Sequence, residues 1–312
     1  MKSLDLLEFQ EKAKAHWTPE REAKVTGGKS WLLRPGLAAP LLRVIGLLNR
    51  DASMSADHVR KFSQINHMIT LLAPQLTDLM ARHATVRVLD AACGTSYLSL
   101  ALGWLFREEW KKPLQLVGVD AEPAVVATSQ ARANELGLGQ SLRFVASRLE
   151  DLDWDASFVA SFGQGTATHS RRPHLTVALH ACDTATDYAL AAAVRLKSDA
   201  IAVAPCCHAE LARKWKDLGG LTHPFAPVFR TPNLRRDTAA NITDTLRVLL
   251  LRSRGYEVTA TEFVPSAHTP KNRLLLATRR GNFLKEAEDQ HQDLKGSLGD
   301  QGIKLEELLL GV

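Results

Sequence analysis

The stretch from Val86 to Leu102 most constrains how this chain can fold, because it joins an apolar strand, a turn of small residues and the start of a helix. The strand leads into Asp90, and residues 91–96 hold no bulky side chain that would keep a ligand away from the backbone. Apolar residues then recur at helical spacing from Tyr97 onwards. A helix N-terminus behind such a turn offers free N–H groups and positive potential. The stretch therefore predicts a strand–turn–helix unit that cradles a nucleotide.

A second acid follows at the end of the next predicted strand. Residues 115–120 form an apolar run that ends on Asp120, 30 residues after Asp90. In doubly wound folds an acid at this place accepts hydrogen bonds from ribose hydroxyls, at the carboxyl edge of the sheet. The alternative is a helix-capping aspartate beside a well-packed turn, because a predicted helix follows directly. The two acids together favour the nucleotide site.

Composition limits the partners and the compartment. A chain of 312 residues, 45% of them hydrophobic, can bury one large core with an appendage. The balance of 39 Lys and Arg against 34 Asp and Glu gives a net charge of +5, which permits an anionic partner such as RNA. The N-terminus has no apolar signal region, and no uncharged apolar run is long enough to span a bilayer. We therefore expect a cytoplasmic protein with no membrane partner.

The four cysteines, at positions 93, 182, 206 and 207, are too few and too clustered for a disulfide framework. Two of them are adjacent in the sequence. We expect all four to be reduced thiols.

Three segments are expected along the chain. Residues 1–54 form a helical accessory segment, residues 55–280 the main domain, and residues 281–312 a charged tail with a short helix. Within the main domain, apolar residues at helical spacing over residues 55–79 predict a helix pair that breaks near Pro74.

Five predicted strands alternate with helices, and a helix and two further strands follow. The last two strands are joined by a short link and are therefore expected to be antiparallel. Residues 221–237 contain three prolines and predict a long loop that could serve as a substrate lid. The predicted strands are residues 86–90, 115–120, 141–146, 175–179, 200–204, 256–264 and 273–278, and the predicted helices include residues 3–15, 121–136, 184–196 and 237–255.

A series of ordered motifs resembles one known family. The motifs are Lys61 with Gln64-Ile65-Asn66, then LDAACGTSYLSLAL, LHACDTATDYAL, APCCHAEL and HTPKN. The set is similar to a methyltransferase family that includes a protein with a glutathione S-transferase C-terminal domain, and more distantly to a tRNA 2′-O-methyltransferase. The resemblance covers about residues 58–280. It implies an α/β fold with a seven-stranded, Rossmann-like class I methyltransferase sheet, mostly parallel with an antiparallel final strand, and S-adenosylmethionine as the cofactor.

The resemblance also implies a cofactor site at the ends of the first three strands. Asp90 would anchor the methionine end, the backbone of residues 93–95 would line the turn, and Asp120 would hold the ribose. Ser147 and Arg148 would contact the adenine. The full set implied for the cofactor is Lys61, Gln64, Asp90, Ala91, Cys93, Gly94, Thr95, Asp120, Ala121, Ser147, Arg148 and His180, the last of which lies where the methyl group points in this fold.

Two departures from the family pattern concern this same site. The usual DxGxGxG motif has Ala92 and Ser96 in place of two glycines. Ser147 stands where an acid often holds the adenine amine. Neither departure removes the backbone pocket.

Soft and titratable side chains cluster after the fourth and fifth strands, and they are His180, Cys182, Cys206, Cys207 and His208. In one interpretation Cys182 and Cys206 pack as small apolar residues. In a second, a thiolate of Cys206 or Cys207 attacks the acceptor covalently, as in pyrimidine carbon methylation, with a nearby histidine lowering the thiol pKa. A Cys/His zinc site ranks last, since adjacent cysteines rarely bind one ion together, and we predict no metal. Without the covalent route, the acceptor's proton would pass to one of three residues, His180, Asp183 or His208.

Three classes of function fit these patterns: a methyltransferase acting on RNA, one acting on a protein or small molecule, and a non-catalytic module that binds the cofactor. The net positive charge, the resemblance to a tRNA enzyme and three arginines in the predicted loop, Arg230, Arg235 and Arg236, favour RNA. We expect a structured RNA to be held by the N-terminal segment and by residues 221–237.

Overall fold

The computed structural model describes residues 3–163, 171–179, 181–205, 208–220, 222–262 and 273–311. Its strands are β1 (Val86–Ala91), β2 (Leu114–Asp120), β3 (Leu142–Ala146), β4 (Leu175–Ala178), β5 (Ala200–Val203), β6 (Tyr256–Glu262) and β7 (Arg273–Arg279). They form one seven-stranded sheet in the order β3-β2-β1-β4-β5-β7-β6.

The pairing within this sheet is mostly parallel. β2 pairs in parallel with both β1 and β3, and β4 pairs in parallel with β5. β7 is antiparallel to both β5 and β6. The predicted class I sheet with an antiparallel final strand is therefore confirmed. The HTPKN motif, residues 268–272, lies outside the described residues.

The first strands form where the sequence is apolar on both faces. Val86, Val88 and Leu89 of β1 are at most 1% exposed, as expected for an interior parallel strand that is covered from both sides. β1 continues to Ala91, one residue beyond the predicted end. Asp90 therefore lies within the strand, and its carboxylate is buried with it.

The chain divides into two compact units, Met1–Arg171 and Arg172–Val312. None of the described helices in either unit is both long enough and apolar enough to cross a lipid bilayer. The helices of the first unit are α1 (Ser3–His16), α2 (Pro19–Thr26), α3 (Ala39–Val44), α4 (Ala56–Arg82), α5 (Tyr97–Glu108), α6 (Pro123–Glu135) and α7 (Trp154–Phe162). The helices of the second unit are α8 (Thr184–Arg195), α9 (Ala209–Leu218), α10 (Ala226–Arg230), α11 (Pro232–Ser253), α12 (Lys285–Ser297) and α13 (Lys304–Leu310).

The helix break predicted near Pro74 is wrong, because α4 runs without interruption through that residue. A proline inside a helix removes one backbone hydrogen bond and crowds the preceding turn. Here the apolar stripe of α4 continues on both sides of the proline, with Ile69, Leu72 and Leu76 all fully buried. Burial of this stripe offsets the lost bond.

Buried polar contacts fasten the N-terminal segment within the first unit. The Asn66 amide on α4 accepts a hydrogen bond from Leu33 N (3.0 Å) and donates to Leu33 O (3.2 Å). Trp17 Nε1 donates to Ala52 O at 2.8 Å. The buried Glu22 carboxylate accepts hydrogen bonds from the Arg34 side chain and from Gly36 N. Asn66, part of one family motif, thus has a structural role in this unit.

One further difference concerns the helix before the third strand. α6 begins at Pro123 rather than at residue 121, since proline suits the first turn of a helix, where its missing N–H is not needed. After β3, residues 154–162 form α7. The Asp153 carboxylate caps α7 by accepting a hydrogen bond from Ala156 N at 3.0 Å.

The predicted lid loop over residues 221–237 is also wrong. Residues 226–230 form α10, and α11 begins at Pro232 rather than at Asp237. Both helices carry proline in their first turn, so these prolines start helices rather than break them. The arginines predicted to lie on a loop are therefore on helices.

Candidate functional site

The turn after β1 has the backbone conformation of a three-glycine motif, although it contains only one glycine. Ala92, Gly94 and Ser96 have φ values of 58°, 52° and 57°, all in the left-handed region. These are the three glycine positions of the DxGxGxG pattern. A left-handed conformation costs a residue with a Cβ about 1–2 kcal/mol. Ala92 and Ser96 therefore adopt the conformation that glycine would have at their positions, and they do so with backbone strain.

Side-chain bonds offset part of this strain at Ser96. Its hydroxyl donates to Ser129 Oγ on α6 at 2.8 Å, and both side chains are fully buried. Ser96 also precedes the first residue of α5. The bond therefore links the turn after β1 to the helix that follows β2.

Asp120 holds three turns together. Its carboxylate oxygens accept hydrogen bonds from Gly94 N (2.9 Å) and Glu122 N (3.0 Å), and its backbone oxygen accepts one from Ser147 N (2.9 Å). Asp120 is half-buried. Each carboxylate oxygen can accept more than one hydrogen bond, so acceptor capacity remains for two ribose hydroxyls.

Asp90 is buried at 3% exposure and accepts a short hydrogen bond from Ser99 Oγ. Burial is the main cause that raises the pKa of this carboxyl; the Ser99 hydrogen bond opposes the shift, the Asp120 carboxylate adds to it, and the resulting pKa is about 7. The protonation state of Asp90 therefore changes near neutral pH. A cationic group bound beside it would favour the carboxylate.

Cys93 packs its thiol into the core. It is 1% exposed, and a Cβ added at Gly118 would lie 3.2 Å from its Sγ. Burial, with the nearby Asp90 carboxylate, raises the pKa of the thiol, so it stays protonated. Only the backbone of Cys93 is left to line the turn.

The remaining residues predicted for the cofactor differ in exposure. Ser147 is half-buried, and Arg148 is exposed and pairs with Glu150. Thr95 and Ala121 are exposed at the turns, whereas Ala91 is buried in β1. The structure thus brings Asp90, Gly94, Asp120 and Ser147 together at the carboxyl ends of β1, β2 and β3. Lys61 and Gln64 are exposed on α4, and their predicted contact with the cofactor stays a prediction.

A buried histidine–aspartate pair lies in the second unit. His208 Nε2 lies 2.9 Å from Asp244 Oδ1, and the two side chains are 8% and 4% exposed. Burial alone would raise the pKa of Asp244, but His208, Arg247 and Arg273 hold it below its ordinary value. The carboxylate therefore accepts a hydrogen bond from Nε2–H, and Nδ1 is the ring nitrogen left to accept a proton.

Arg247 anchors this pair. Its guanidinium is 1% exposed, contacts Asp244 Oδ1 at 3.2 Å and binds both carboxylate oxygens of Asp187, at 2.9 and 3.0 Å. Arg273 Nη1 binds the second oxygen of Asp244 at 2.7 Å. Sequence reasoning missed these residues. Their signal was a charged side chain on the apolar face of a helix, at Asp187 in α8 and at Arg247 in α11.

Asp183, a predicted proton acceptor, caps α9. Its Oδ1 accepts hydrogen bonds from Ala209 N (2.8 Å) and Glu210 N (3.0 Å), and Oδ2 pairs with Arg213 at 3.1 Å. Both oxygens are therefore engaged, and the catalytic role of Asp183 stays a prediction. Cys182 is exposed, which contradicts its interpretation as a buried packing residue. Three other candidates, His180, Cys206 and Cys207, lie outside the described residues.

A cavity of about 620 Å³ opens beside His208 within the second unit. Asp237 and Asp244 are its acidic lining residues, so the cations outnumber the acids. Arg230 lies apart from it and donates to Gly219 O. The cationic lining residues are Arg213, Lys216, Arg235, Arg236 and Arg273.

Comparison with known proteins relates part of the chain to a known family. Residues 60–214 match the family model described as a methyltransferase domain. This match confirms the predicted methyltransferase domain, and it lies in the part of the chain that carries β1 to β5.

The methyltransferase domain also has curated relatives. The glutathione S-transferase C-terminal domain-containing protein homolog of Drosophila melanogaster is 25% identical over 229 residues, covering 64% of this chain and 34% of that protein. The Drosophila pseudoobscura pseudoobscura homolog is 26% identical over the same length. The resemblance inferred from the motifs is thus confirmed, and the chain spans about a third of the length of these relatives.

Solved structures with similar folds include two methyltransferases. Magnesium protoporphyrin IX methyltransferase from Synechocystis PCC 6803, with bound S-adenosylmethionine, is 15% identical with a TM-score of 0.42, covering 77% of this chain and 90% of its own. The Podospora anserina methyltransferase PaMTH1 is 13% identical with a TM-score of 0.43, covering 83% and 93% of the two chains.

Strain in the turn after β1 predicts opposite effects for two substitutions. Ala92→Gly removes a Cβ from a left-handed position and should stabilise the protein by about 0.5–1 kcal/mol, after the extra chain entropy of glycine is subtracted. Gly94→Ala adds a Cβ at such a position and should destabilise it by about 1–2 kcal/mol. Urea unfolding measures both. Effects of the same sign in both variants would contradict the left-handed assignment.

Burial of Asp90 predicts a pH-dependent stability. Because its pKa in the folded state is about 7, above the ordinary 3.8, the folded protein holds an extra proton between these values. Stability conferred by the protonated form is present at low pH and is lost as pH rises through about 7. Asp90→Asn cannot ionise, so its stability relative to wild type should increase from pH 5 to pH 8. Urea unfolding at each pH tests this, and a constant difference would contradict it.

Proposed function

We propose that this methyltransferase domain transfers a methyl group to RNA. The observation that carries the proposal is the cavity of the second unit, where five cationic side chains surround His208. Every nucleotide of RNA brings a phosphate, and contacts from Lys and Arg to phosphates supply much of the affinity for nucleic acid. A cavity of this charge suits a polyanionic acceptor better than a neutral metabolite.

The proposal assigns the cofactor to the first unit. The free acceptor capacity of Asp120 fits two ribose hydroxyls, and the small side chains of residues 91–96 leave the turn's backbone open to the methionine end beside Asp90. Ser147 and Arg148 would contact the adenine. When bound, S-adenosylmethionine supplies an electrophilic methyl group on a sulfonium. The remaining predicted contacts are those of Lys61, Gln64, Ala91, Cys93, Thr95, Ala121 and His180.

His208 is the proposed proton acceptor. Asp244 takes the hydrogen bond from Nε2–H, which leaves the lone pair on Nδ1. His208 would take the proton of the acceptor's hydroxyl on Nδ1, while S-adenosylmethionine would supply the methyl group that replaces this proton. Arg247 and Arg273 keep Asp244 ionised, and so hold the imidazole in this tautomer.

The acceptor class is tested by methyl transfer from radiolabelled S-adenosylmethionine to cell lysate. If the acceptor is RNA, label incorporation is lost after RNase treatment and survives protease treatment. The matched sample is total RNA purified from the same cells, which should accept label by itself. Label that survives RNase but is lost after protease would replace RNA with a protein acceptor, and label only in the small-molecule fraction would point to a metabolite.

The His208–Asp244 pair predicts a selective loss of turnover. Asp244→Asn keeps the size of the side chain but removes the charge that selects the tautomer, so kcat should fall by about 100-fold or more, while the affinity for S-adenosylmethionine stays unchanged. Asp237→Asn, at the other acid of the cavity, is the matched control and should keep kcat within about twofold. Equal kcat values for the two variants would contradict the role of the pair. Thermal unfolding checks that both variants are folded.

A further inference from the structure

Three aromatic rings stack at α10 in the second unit. His223 and Phe225 lie nearly parallel to Phe229, with interplanar angles of 28° and 27° and centroid distances of 5.2 and 6.3 Å. Phe229 is fully buried and also contacts Trp215 at 4.9 Å. Phe225 is 40% exposed. The protein therefore presents an aromatic ring to solvent on a support that is itself packed in the core.

Arg235 joins this aromatic stack to the cationic cavity. Arg235 lines the cavity, and its Nη1 donates to the backbone oxygen of Phe229 at 2.6 Å. Its Nε is buried and has no hydrogen-bond partner among the described residues. The aromatic stack and the wall of the cavity are thus joined through one guanidinium.

The charges along the cavity are not equally available. Arg213 pairs with Asp183, and Arg273 pairs with Asp244. Lys216, by contrast, has no ion-pair partner within the part of the chain that the structure describes. Arg235 and Arg236 likewise form no ion pair among these residues. These three cations are therefore the ones best able to meet a phosphate.

The exposed ring of Phe225 stacks on Phe229, and Phe229 is bonded to Arg235 of the cavity. An aromatic ring linked in this way to a cationic cavity suits a nucleotide whose base is not paired. Aromatic side chains bind single-stranded nucleic acid by stacking on one base after another, and cations follow the backbone. Inside a duplex, each base face is already covered by its neighbours, and the side chains of A-form RNA binders meet mainly phosphates and 2′-hydroxyls.

We propose that the second unit binds its acceptor RNA through an unpaired nucleotide, whose base stacks on Phe225 and whose phosphate meets Lys216 and Arg235. The inference rests on the proposed function, because it specifies which form of RNA that site takes. It makes the acceptor a single strand, a loop or an end rather than a continuous helix.

Fluorescence anisotropy of the full chain tests this, with a labelled twelve-nucleotide RNA of mixed sequence as the probe. The same strand annealed to its complement is the matched duplex probe. The single strand should bind at least about tenfold more tightly than the duplex, in line with the strength of base–aromatic stacking. Equal or tighter binding of the duplex overturns the proposal.

Variants separate stacking from charge. Phe225→Ala should weaken single-strand binding about tenfold and leave duplex binding unchanged, while Phe225→Trp should retain it. Phe283→Ala is the control, because Phe283 is 53% exposed in the same unit but is not part of the aromatic stack at α10. Lys216→Ala should reduce the slope of log affinity against log salt by about 0.7, the value for one phosphate on a single strand. Unchanged binding in Phe225→Ala overturns the proposal.

The two proposals can fail separately. If RNA accepts the methyl label and Phe225→Ala binds the single strand like wild type, the RNA function stands and the unpaired-nucleotide mode is wrong. If the single strand binds in a Phe225-dependent manner but no RNA accepts label, the binding mode stands and the acceptor class is wrong.

Discussion

Hydrogen bonds to a single residue, Asp120, organise the turns at one edge of the sheet in the first unit. Its two carboxylate oxygens and its backbone oxygen hold the turns that follow β1, β2 and β3. The residue proposed to hold the ribose is thus also the residue that shapes the turns around the proposed site. Removing its carboxylate would loosen the site as well as delete a contact, so a loss of affinity in such a variant would contain both effects.

The second unit depends on a different constraint, which is a buried positive charge. Arg247 is balanced by Asp187 and Asp244, and breaking a buried pair by removing one partner typically costs about 3–5 kcal/mol. The same network orients His208 and fixes one wall of the cavity. The stability of this unit and the proposed proton transfer therefore depend on the same side chains.

Much of the fold and half of the site could be predicted from local sequence. Apolar runs marked the strands, and the acids at 90 and 120 marked the carboxyl ends of β1 and β2. The start of α6 was predicted two residues before Pro123, and the start at Pro232 was missed because its proline was taken as part of a loop. The pair His208–Asp244 was missed because its members are 36 residues apart and meet only in the folded chain. No local pattern encodes such a contact.

The left-handed backbone at Ala92 and Ser96 shows which feature of the DxGxGxG turn this chain preserves. The main-chain conformation is retained although two of three glycines are absent. The motif is therefore defined by its backbone dihedral angles rather than by the identity of its residues. A pattern search written in glycines would pass over this chain. A search for three left-handed residues at alternate positions, beginning two residues after an acid in a buried strand, would find it.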